Sequence, residues 1–319
     1  MTKLGIMLEG QEDLTWDRWH DFVDRSEGLG FESLWRSDHL HPLVLGPEKE
    51  VLEAWVSFVT LAARTERIRF GAMVTPMTFR HPSVLAKMAA SIDLLSGGRL
   101  EMGLGAGWCL PEHSAFGIPF YDWKTRYGML EEGLEVIKAL WTEDNVTFKG
   151  RHYTLENATS YPKPAQSPHP PFVIGGNGER RTLPIAAAYA QEWNGIGLTV
   201  EGFEAKRDRL HGLCREIGRD PESLDLSLTA TTVIGRDDQD FAQRLARVAD
   251  ILGAESGVAG SGPEQLMEKG WIAGTPDRVV ERILAYSEAG VSRVIFQLYD
   301  YEDTDLLDII AEKVQPRLS

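Results

Sequence analysis

The feature that most constrains this chain is an alternation of short apolar segments with amphipathic, helix-like segments along its 319 residues. Parallel strands need long crossover connections, and a helix is the usual crossover. Eight strand–helix units in a chain of this length therefore predict an α/β fold, a TIM (β/α)8 barrel. An open doubly wound sheet is the alternative, but it would use fewer strands before a second domain began. The strands are predicted at 4–8, 33–35, 68–74, 100–104, 172–174, 193–196, 224–234 and 292–298.

Two stretches exceed what a minimal barrel needs. Residues 145–164 are typical of a short β-hairpin or an extended loop. Residues 253–272, before the eighth strand, are rich in glycine at first and then briefly helical, which predicts an insertion. Long inserts in compact domains are usually functional or disordered. No Ser/Pro-rich linker separates a second unit, so residues 1–319 are predicted to form a single domain.

Composition excludes several classes of protein. The net charge of −15 argues against a nucleic-acid surface. No run reaches the roughly 18 apolar residues of a membrane span, and the N-terminal residues lack the pattern of a signal peptide. Cys109 and Cys214 have neither metal-ligand nor disulfide spacing, which fits a reducing compartment. We therefore expect a cytoplasmic protein that binds no metal, nucleic acid or membrane.

A glycine-rich turn between a strand and an alanine-rich helix, within residues 172–190, predicts an anion site. Unpaired backbone N–H groups and the helix dipole attract phosphate at such a helix start, and Arg180 and Arg181 would add charge. The spacing differs from the dinucleotide-binding and Walker patterns, and similar turns also occur without a ligand. Either the helix begins at Glu179 and contains Pro184, or Thr182 caps it.

In a barrel, catalytic groups gather where strands end at the C-terminal face. Asp38 and His39 follow the second strand, and a carboxylate beside an imidazole suits acid–base chemistry. Alternatively, Asp38 caps a turn and His39 is packed. Thr75, Thr78 and Arg80 follow the third strand and are candidates for a polar ligand, although that loop also simply leads to the next helix.

The loop after the fourth strand carries glycines at alternate positions, Gly103, Gly105 and Gly107. Such a pattern lets a flat ring lie on the backbone, and it also suits a tight barrel corner. Glu112 and His113 follow and form a possible catalytic or metal pair. No third or fourth ligand stands at a useful spacing, so we predict no metal site.

Several motifs occur together in one order. They are Ser-Asp-His-Leu at 37–40, Arg-Ile-Arg-Phe-Gly at 67–71, Phe-Arg-His-Pro at 79–82, Ala-Lys-Met-Ala-Ala at 86–90, Ser-Gly-Gly-Arg-Leu at 96–100, Gly-Leu-Gly-Ala-Gly-Trp at 103–108 and Gly-Gly-Asn-Gly-Glu-Arg-Arg-Thr-Leu at 175–183. The ordered set resembles the bacterial luciferase-like flavin/deazaflavin oxidoreductase family, most of all its probable coenzyme F420-dependent branch. The resemblance implies a TIM barrel with an insertion near the seventh strand. It also implies an F420 ring at the C-terminal face, with FMN as the alternative cofactor.

The resemblance also implies roles for individual residues. Asp38 and His39 would lie beside the ring as catalytic residues. A cis peptide between Met73 and Val74 would form a bulge behind the ring, with Thr75 hydrogen-bonded to the cofactor. The full set implied to bind cofactor is Asp38, Met73, Val74, Thr75, Gly105, Ala106, Gly107, Glu112, Gly175, Gly176, Asn177, Gly178 and Arg180. Some deazaflavin enzymes have a glutamate acid where this chain has Trp108, which argues against glucose-6-phosphate chemistry.

These expectations predict an F420-dependent oxidoreductase that transfers a hydride between the deazaflavin and a small organic substrate. Two alternatives stay open, an FMN-dependent monooxygenase that uses reduced flavin and O2, and a non-catalytic flavin-binding protein. Trp108, Phe116, Phe120 and Tyr121 suggest a partly hydrophobic pocket, although they would serve equally as core residues. The nine tryptophans and the resemblance together predict a homodimer.

Overall fold

The computed structural model describes residues 2–318, and its main feature is a parallel sheet that closes into a barrel. The strands are β1 Lys3–Leu8, β2 Ser33–Arg36, β3 Arg69–Ala72, β4 Thr75–Pro76, β5 Met102–Gly105, β6 Val146–Lys149, β7 Thr154–Ala158, β8 Phe172–Gly175, β9 Glu192–Ile196, β10 Asp225–Ile234, β11 Ile272–Gly274 and β12 Arg293–Leu298. Around the sheet the order is β3-β2-β1-β12-β10-β9-β8-β5-β4. A parallel bridge between Phe70 and Leu100 joins β3 to β5 and closes the ring. The predicted TIM-barrel fold is therefore confirmed.

The third predicted strand is interrupted. Residues 68–74 were expected to be continuous, but β3 ends at Ala72 and β4 resumes at Thr75. Between them the Met73–Val74 peptide bond is cis, as the resemblance implied. Together β3 and β4 occupy one position of the eight-position barrel, because β3 pairs with β2 and β4 pairs with β5.

Helices connect the strands and cover the barrel. They are α1 Trp16–Gly28, α2 Ala54–Arg64, α3 Pro82–Leu95, α4 Leu110–Ala115, α5 Trp123–Thr142, α6 Thr182–Tyr189, α7 Val200–Glu216, α8 Asp238–Leu252, α9 Pro263–Met267, α10 Pro276–Glu288 and α11 Asp305–Ile309, which continues as a π-helical turn over Ile310–Val314. Thr15 caps α1 as expected, through its side chain and the Arg18 N–H. Helix α6 begins at Thr182 with Arg181 as the capping residue, so Pro184 lies harmlessly in the first turn.

The two stretches beyond a minimal barrel take definite structures. Residues 145–164 contain the antiparallel hairpin of β6 and β7. Residues 253–272 contain a 3₁₀ turn and the short helix α9, and they lead into β11, which pairs with the end of β10. Val258 and Leu266 from this segment pack with Phe241 and Leu245 of α8 in a small hydrophobic cluster beside the main core. That the segment is an insertion stays a prediction.

The barrel interior is layered, as the alternation of side chains along strands requires. At the end where the strands begin, buried Arg293 is ion-paired with Glu101 at 2.6 Å and Glu192 at 3.2 Å. Above this network, fully buried Trp35 packs with Ile295 in an apolar layer. The interior is thus filled up to its middle, and open space remains only toward the C-terminal ends of the strands.

Candidate active site

A cavity of about 460 Å³ opens at the C-terminal end of the barrel. Its lining comes from the ends of several strands and from the loops that follow them, where TIM-barrel sites lie. The polar lining residues are Glu9, Gln11, Ser37, His39, Thr229, Gln297 and Tyr299, and the apolar ones are Met7, Leu43, Val44, Met73, Trp108 and Ile196. The two predicted positions His39 and Met73 therefore face the same space.

His39 is paired with Glu112 rather than with its neighbour Asp38. Nδ1 of His39 lies 2.9 Å and 3.1 Å from the two carboxylate oxygens of Glu112. The backbone N–H of Leu40 donates to the same carboxylate at 3.0 Å. Glu112 is brought there by the short helix α4, which the sequence analysis treated as part of a loop. The imidazole edge packs on Trp108, with ring centroids 5.7 Å apart, and Nε2 is left for a ligand in the cavity.

The Glu112 carboxylate changes the acid–base behaviour of His39. Burial disfavours the charged imidazolium, but the hydrogen bond and the negative charge of Glu112 outweigh it. The pKa of His39 is therefore raised above its usual value, with smaller contributions from Glu9 and Asp38. A carboxylate on Nδ1 also selects the tautomer in which Nε2 is the atom that accepts or gives a proton.

Asp38 lies inside the wall of the barrel and pairs with Arg80 rather than with His39, so its catalytic role stays a prediction. Arg80 donates to its two carboxylate oxygens, at 2.6 Å and 3.1 Å, and Thr75 donates to one of them at 2.9 Å. The Thr75 hydroxyl in turn accepts from the indole N–H of Trp55. Asp38 and Thr75 are both buried, and neither lines the cavity. The Thr75 hydroxyl keeps one acceptor lone pair, and its hydrogen bond to a cofactor stays a prediction.

Val74 is enclosed between two glycines of neighbouring strands. A Cβ built on Gly105 would lie 2.6 Å from Val74 Cγ2, and one built on Gly175 would lie 2.9 Å from Cγ1. Real Cβ atoms do not approach so closely, so both positions require glycine to admit Val74. The glycines after the fourth strand thus serve a tight packing corner, and Gly107, beyond Ala106, supplies a positive φ of +77°.

His113 does not join the site. Its Nδ1 lies 2.6 Å from the backbone carbonyl of Cys109, and its Nε2 lies 2.8 Å from the Thr78 hydroxyl. Both contacts are internal to the wall, and Glu112 points instead to His39. Within residues 2–318, no group of His, Cys, Asp and Glu side chains is arranged to hold a metal ion. The same part of the chain contains no helix that is long and apolar enough to cross a membrane.

The glycine-rich turn after β8 has backbone N–H groups that are unpaired within the described chain, whereas its asparagine is bonded to β9. The Asn177 amide donates to the Ile196 carbonyl at 2.7 Å and accepts from the Ile196 N–H at 3.1 Å, which joins the ends of β8 and β9. Gly176 has a positive φ of +120°, which favours glycine at that position. Within residues 2–318, the N–H groups of 177–181 have no acceptor and the exposed guanidinium of Arg180 forms no ion pair.

Sequence reasoning missed the polar wall of the cavity opposite the glycine turn. Gln11 and Gln297 donate through their amides to the two carboxylate oxygens of buried Glu9. Glu12, also buried, accepts from the consecutive N–H groups of residues 43–45 at 2.9 to 3.0 Å, and so holds the loop that carries Leu43 and Val44. Only the position of Glu9 and Glu12 directly after the first strand could have drawn attention to them.

Comparison with known proteins assigns the family. The model of the luciferase-like monooxygenases matches residues 2–293. The chain belongs to this family. It is 31% identical to the F420-dependent glucose-6-phosphate dehydrogenase of Amycolatopsis mediterranei, with 93% of each chain covered. The enzyme of the same description from Kineococcus radiotolerans is also 31% identical, with 93% of this chain and 92% of the relative covered.

Two solved structures share the fold over the whole chain. The coenzyme F420-dependent tetrahydromethanopterin reductase of Methanopyrus kandleri superposes with a TM-score of 0.84 at 22% identity, covering 100% of this chain and 99% of the other. An F420-dependent secondary alcohol dehydrogenase gives a TM-score of 0.82 at 22% identity, with the same coverage. The family that the ordered motifs resemble is therefore confirmed.

Proposed function

We propose that this protein is an F420-dependent oxidoreductase that transfers a hydride between the deazaflavin and a small organic substrate. The observation that carries the proposal is His39, whose Nδ1 is held by Glu112 while its ring lines the barrel cavity. Relatives described as F420-dependent dehydrogenases, matched over 93% of the chain at 31% identity, support the choice of cofactor.

The residues present fit a phosphorylated, flat cofactor. The unpaired N–H groups of 177–181 form a concave donor set at the start of α6, which suits a phosphate. Arg180 and Arg181 are exposed beside them and free to add positive charge. Met73 in the cavity wall, beside the corner where Val74 is packed, gives the ring an apolar surface. We infer that these residues would hold the cofactor, with its phosphate on the glycine turn.

The chain's own contribution to the reaction is the handling of a proton. When bound, a deazaflavin supplies a carbon that accepts or returns a hydride. In the oxidation direction His39 Nε2 accepts the proton of the substrate hydroxyl, and in reduction it returns that proton to the carbonyl oxygen. Glu112 stabilises the imidazolium that forms, and Trp108 packs against the ring and fixes its plane. A positioned acid–base group of this kind is typically worth about 10²–10⁴-fold in rate.

Cofactor titration tests the proposal. Purified protein is titrated with F420 and separately with FMN, and binding is followed by cofactor fluorescence. We expect F420 to bind at least tenfold more tightly than FMN, and His39→Ala to retain F420 binding but lose turnover. Tighter binding of FMN, with O2 consumption by the reduced flavin, would support the monooxygenase. Tight F420 binding without turnover of any substrate would support the non-catalytic flavin-binding protein.

The phosphate site has its own test. A Cβ at Gly178 would lie 2.8 Å from the Thr182 hydroxyl, so Gly178→Val should distort the turn and weaken F420 binding more than tenfold, about 1.4 kcal/mol. Arg180→Ala should weaken it less, and added salt should reduce the difference from the wild type. Circular dichroism checks that both variants are folded. Unchanged affinity in Gly178→Val would place the phosphate elsewhere.

We also propose that the protein is a cytoplasmic homodimer. Exposed aliphatic side chains stand on the outer faces of the adjacent helices α2 and α3, away from the cavity, and a second copy would bury them. They are Val56, Val59, Val84, Leu94 and Leu95. Both cysteines are buried free thiols, in keeping with a reducing compartment. Light scattering should give twice the mass of 35.6 kDa for the wild type, and Val59→Lys should shift it toward the monomer. A wild-type monomer at micromolar concentration contradicts the proposal.

A further inference from the structure

We propose that the substrate of this cavity is an uncharged alcohol with an apolar body, or the corresponding carbonyl compound, and that phosphorylated substrates are excluded. This inference rests on the proposed function, because it assigns the substrate class of the same site. Three features of the cavity support this substrate class: its charges, its free hydrogen-bonding groups and its apolar wall.

The cavity contains no fixed positive charge. Among residues 2–318, no lysine or arginine lines it. Two arginines on the loops and strand ends near the cavity, Arg36 and Arg80, have other partners. Arg36 is fully buried and donates to the Ser37 and Leu52 carbonyls and the Ser57 hydroxyl, and Arg80 is ion-paired with Asp38 and Glu53. A phosphate dianion would therefore find no lysine or arginine to balance it, and the imidazolium of His39 is already paired with Glu112.

The cavity does contain a buried negative charge. Glu9 lines it and is only 6% exposed, and its carboxylate accepts from the amides of Gln11 and Gln297. A second carboxylate, Glu12, stands directly behind the loop of the wall. Bringing an anion into a partly desolvated space beside like charges costs several kcal/mol. The amides of Gln11 and Gln297 are neutral, so they satisfy the oxygens of Glu9 without balancing its charge.

Free hydrogen-bonding groups in the wall suit one neutral oxygen. The Tyr299 side chain lines the cavity, and its hydroxyl has no hydrogen-bond partner within the described chain. Burial, with the charges of Glu9 and Glu12 adding, raises the pKa of Tyr299 far above its usual value, so the hydroxyl stays protonated and able to donate. With His39 Nε2, the wall offers two groups for a hydroxyl or carbonyl oxygen.

The remaining wall suits an apolar body. Leu43, Val44 and Ile196 line it together with Trp108, which is 63% exposed at the mouth. Three consecutive hydrogen bonds to Glu12 hold the loop that carries Leu43 and Val44 in place.

In the reaction the substrate C–H bond breaks with its electron pair leaving to F420, the O–H proton passes to His39, and the carbonyl C=O bond forms.

A matched pair of probes tests the inference without relying on turnover. Cyclohexanol and cyclohexyl phosphate differ by the phosphate alone, and glucose 6-phosphate serves as a second anionic probe. Binding is followed by quenching of tryptophan fluorescence, in the protein alone and in the protein saturated with F420. We expect cyclohexanol to bind at least tenfold more tightly than cyclohexyl phosphate, with most of the signal lost in Trp108→Phe.

A lysine introduced into the cavity wall gives a second test of the charge selectivity. Val44 is 42% exposed at the cavity, so Val44→Lys should improve cyclohexyl phosphate binding at least tenfold. Ile217→Lys, at the end of α7 outside the cavity lining, should change nothing. Equal or tighter binding of either phosphate by the wild type overturns the inference, as does failure of cyclohexanol and cyclohexanone to bind with or without F420. Preferential binding of the uncharged probes without F420 reduction overturns the proposed function but leaves the charge selectivity standing.

Discussion

The imidazole Nδ1 of His39 and the carboxylate of Glu112 lie 2.9 Å apart, although 73 residues separate them in the chain. One residue follows β2 and the other lies on α4 after β5, so the barrel brings them together at its C-terminal end. This contact decides which nitrogen of His39 meets a substrate and when it carries a proton. It makes Glu112 a positioning residue for the proposed acid–base group.

Replacing Glu112 by glutamine should lower the pKa of His39 while leaving its imidazole in place. Glu112→Gln keeps the shape of the side chain but removes its charge, so the pKa of His39 should fall and turnover should drop by about 10²-fold. Imidazole NMR shifts of the eight histidines report the pKa directly. Glu281→Gln, at an exposed position, is the control and should change neither quantity. An unchanged His39 titration in Glu112→Gln would show that the contact does not form in solution.

The same pair predicts a pH dependence of stability. The pKa of His39 is raised in the folded state, so its stabilising contribution is fully present below the unfolded value of about 6.5 and is lost as the pH rises through the folded value. The unfolding free energy of wild type minus that of Glu112→Gln should therefore shrink from pH 6 to higher pH. Urea unfolding at four pH values measures it. A difference that grows with pH would contradict the assigned charge on Glu112.

Asp38→Asn should mainly lower the free energy of unfolding. Removing the charge breaks a buried ion pair with Arg80, but Glu53 still balances that guanidinium, so the loss should stay below the cost of an unpaired buried charge, about 3–5 kcal/mol. Asp24→Asn breaks the solvent-exposed pair with Arg64 and should cost much less. Urea unfolding at pH 7 compares the two. Full stability with abolished turnover would restore the catalytic role of Asp38 that the sequence predicted.

Glu12 should control the mobility of the cavity wall. In Glu12→Ala, the N–H groups of residues 43–45 lose their acceptor, so their hydrogen exchange should accelerate at least tenfold while the barrel strands stay protected. The Michaelis constant for a substrate should rise more than kcat falls. Glu50→Ala removes an exposed carboxylate from the same loop and is the matched control. Unchanged exchange at 43–45 would remove Glu12 from the site.

Loss of the proton from Glu192 should lower the free energy of unfolding as the pH rises. Burial raises its pKa to about 7, with the charge of Glu101 adding and that of Arg293 opposing. Because the folded value lies above the unfolded value of about 4.3, the stability linked to its proton is present below that value and is lost as the pH approaches 7. Glu192→Gln should lack this slope, and exposed Glu222→Gln should keep it. Parallel curves of unfolding free energy between pH 5 and 8 for all three proteins would refute the assignment.

The strands were predictable because each is an apolar run bounded by polar or glycine residues. The interruption of the third strand was not, since residues 68–74 give a continuous strand-like pattern and the break depends on how Val74 packs against other strands. Helix α4 has only six residues, which is too short for periodicity to detect. Because helix α4 was not detected, the sequence suggested His113 as the partner of Glu112. The structure pairs Glu112 with His39, on the loop after β2.

The sequence predicted at which end of the barrel the site lies, but not which of its side chains pair with each other. Barrel topology places every loop after a strand at the same end, which predicts that these loops lie close together. Of the predicted site residues, His39 and Met73 line the cavity, whereas the role of the glycine turn stays a prediction. Topology does not say whether an acidic residue faces the cavity or a neighbouring arginine, and Asp38 faces Arg80. The polar wall depends on single residues such as Gln297, whose amide meets Glu9 only after the first and last strands pair.

The enclosure of Val74 by Gly105 and Gly175 has a consequence for how this barrel can diverge. A side chain at either glycine collides with the same valine, so these two positions are closed to substitution while Val74 is present. A smaller residue at 74 must come first, and only then does either neighbour become free to change. The three positions form an ordered evolutionary pathway, and a library that randomises them one at a time would miss every functional combination that requires the valine to shrink before a neighbour grows.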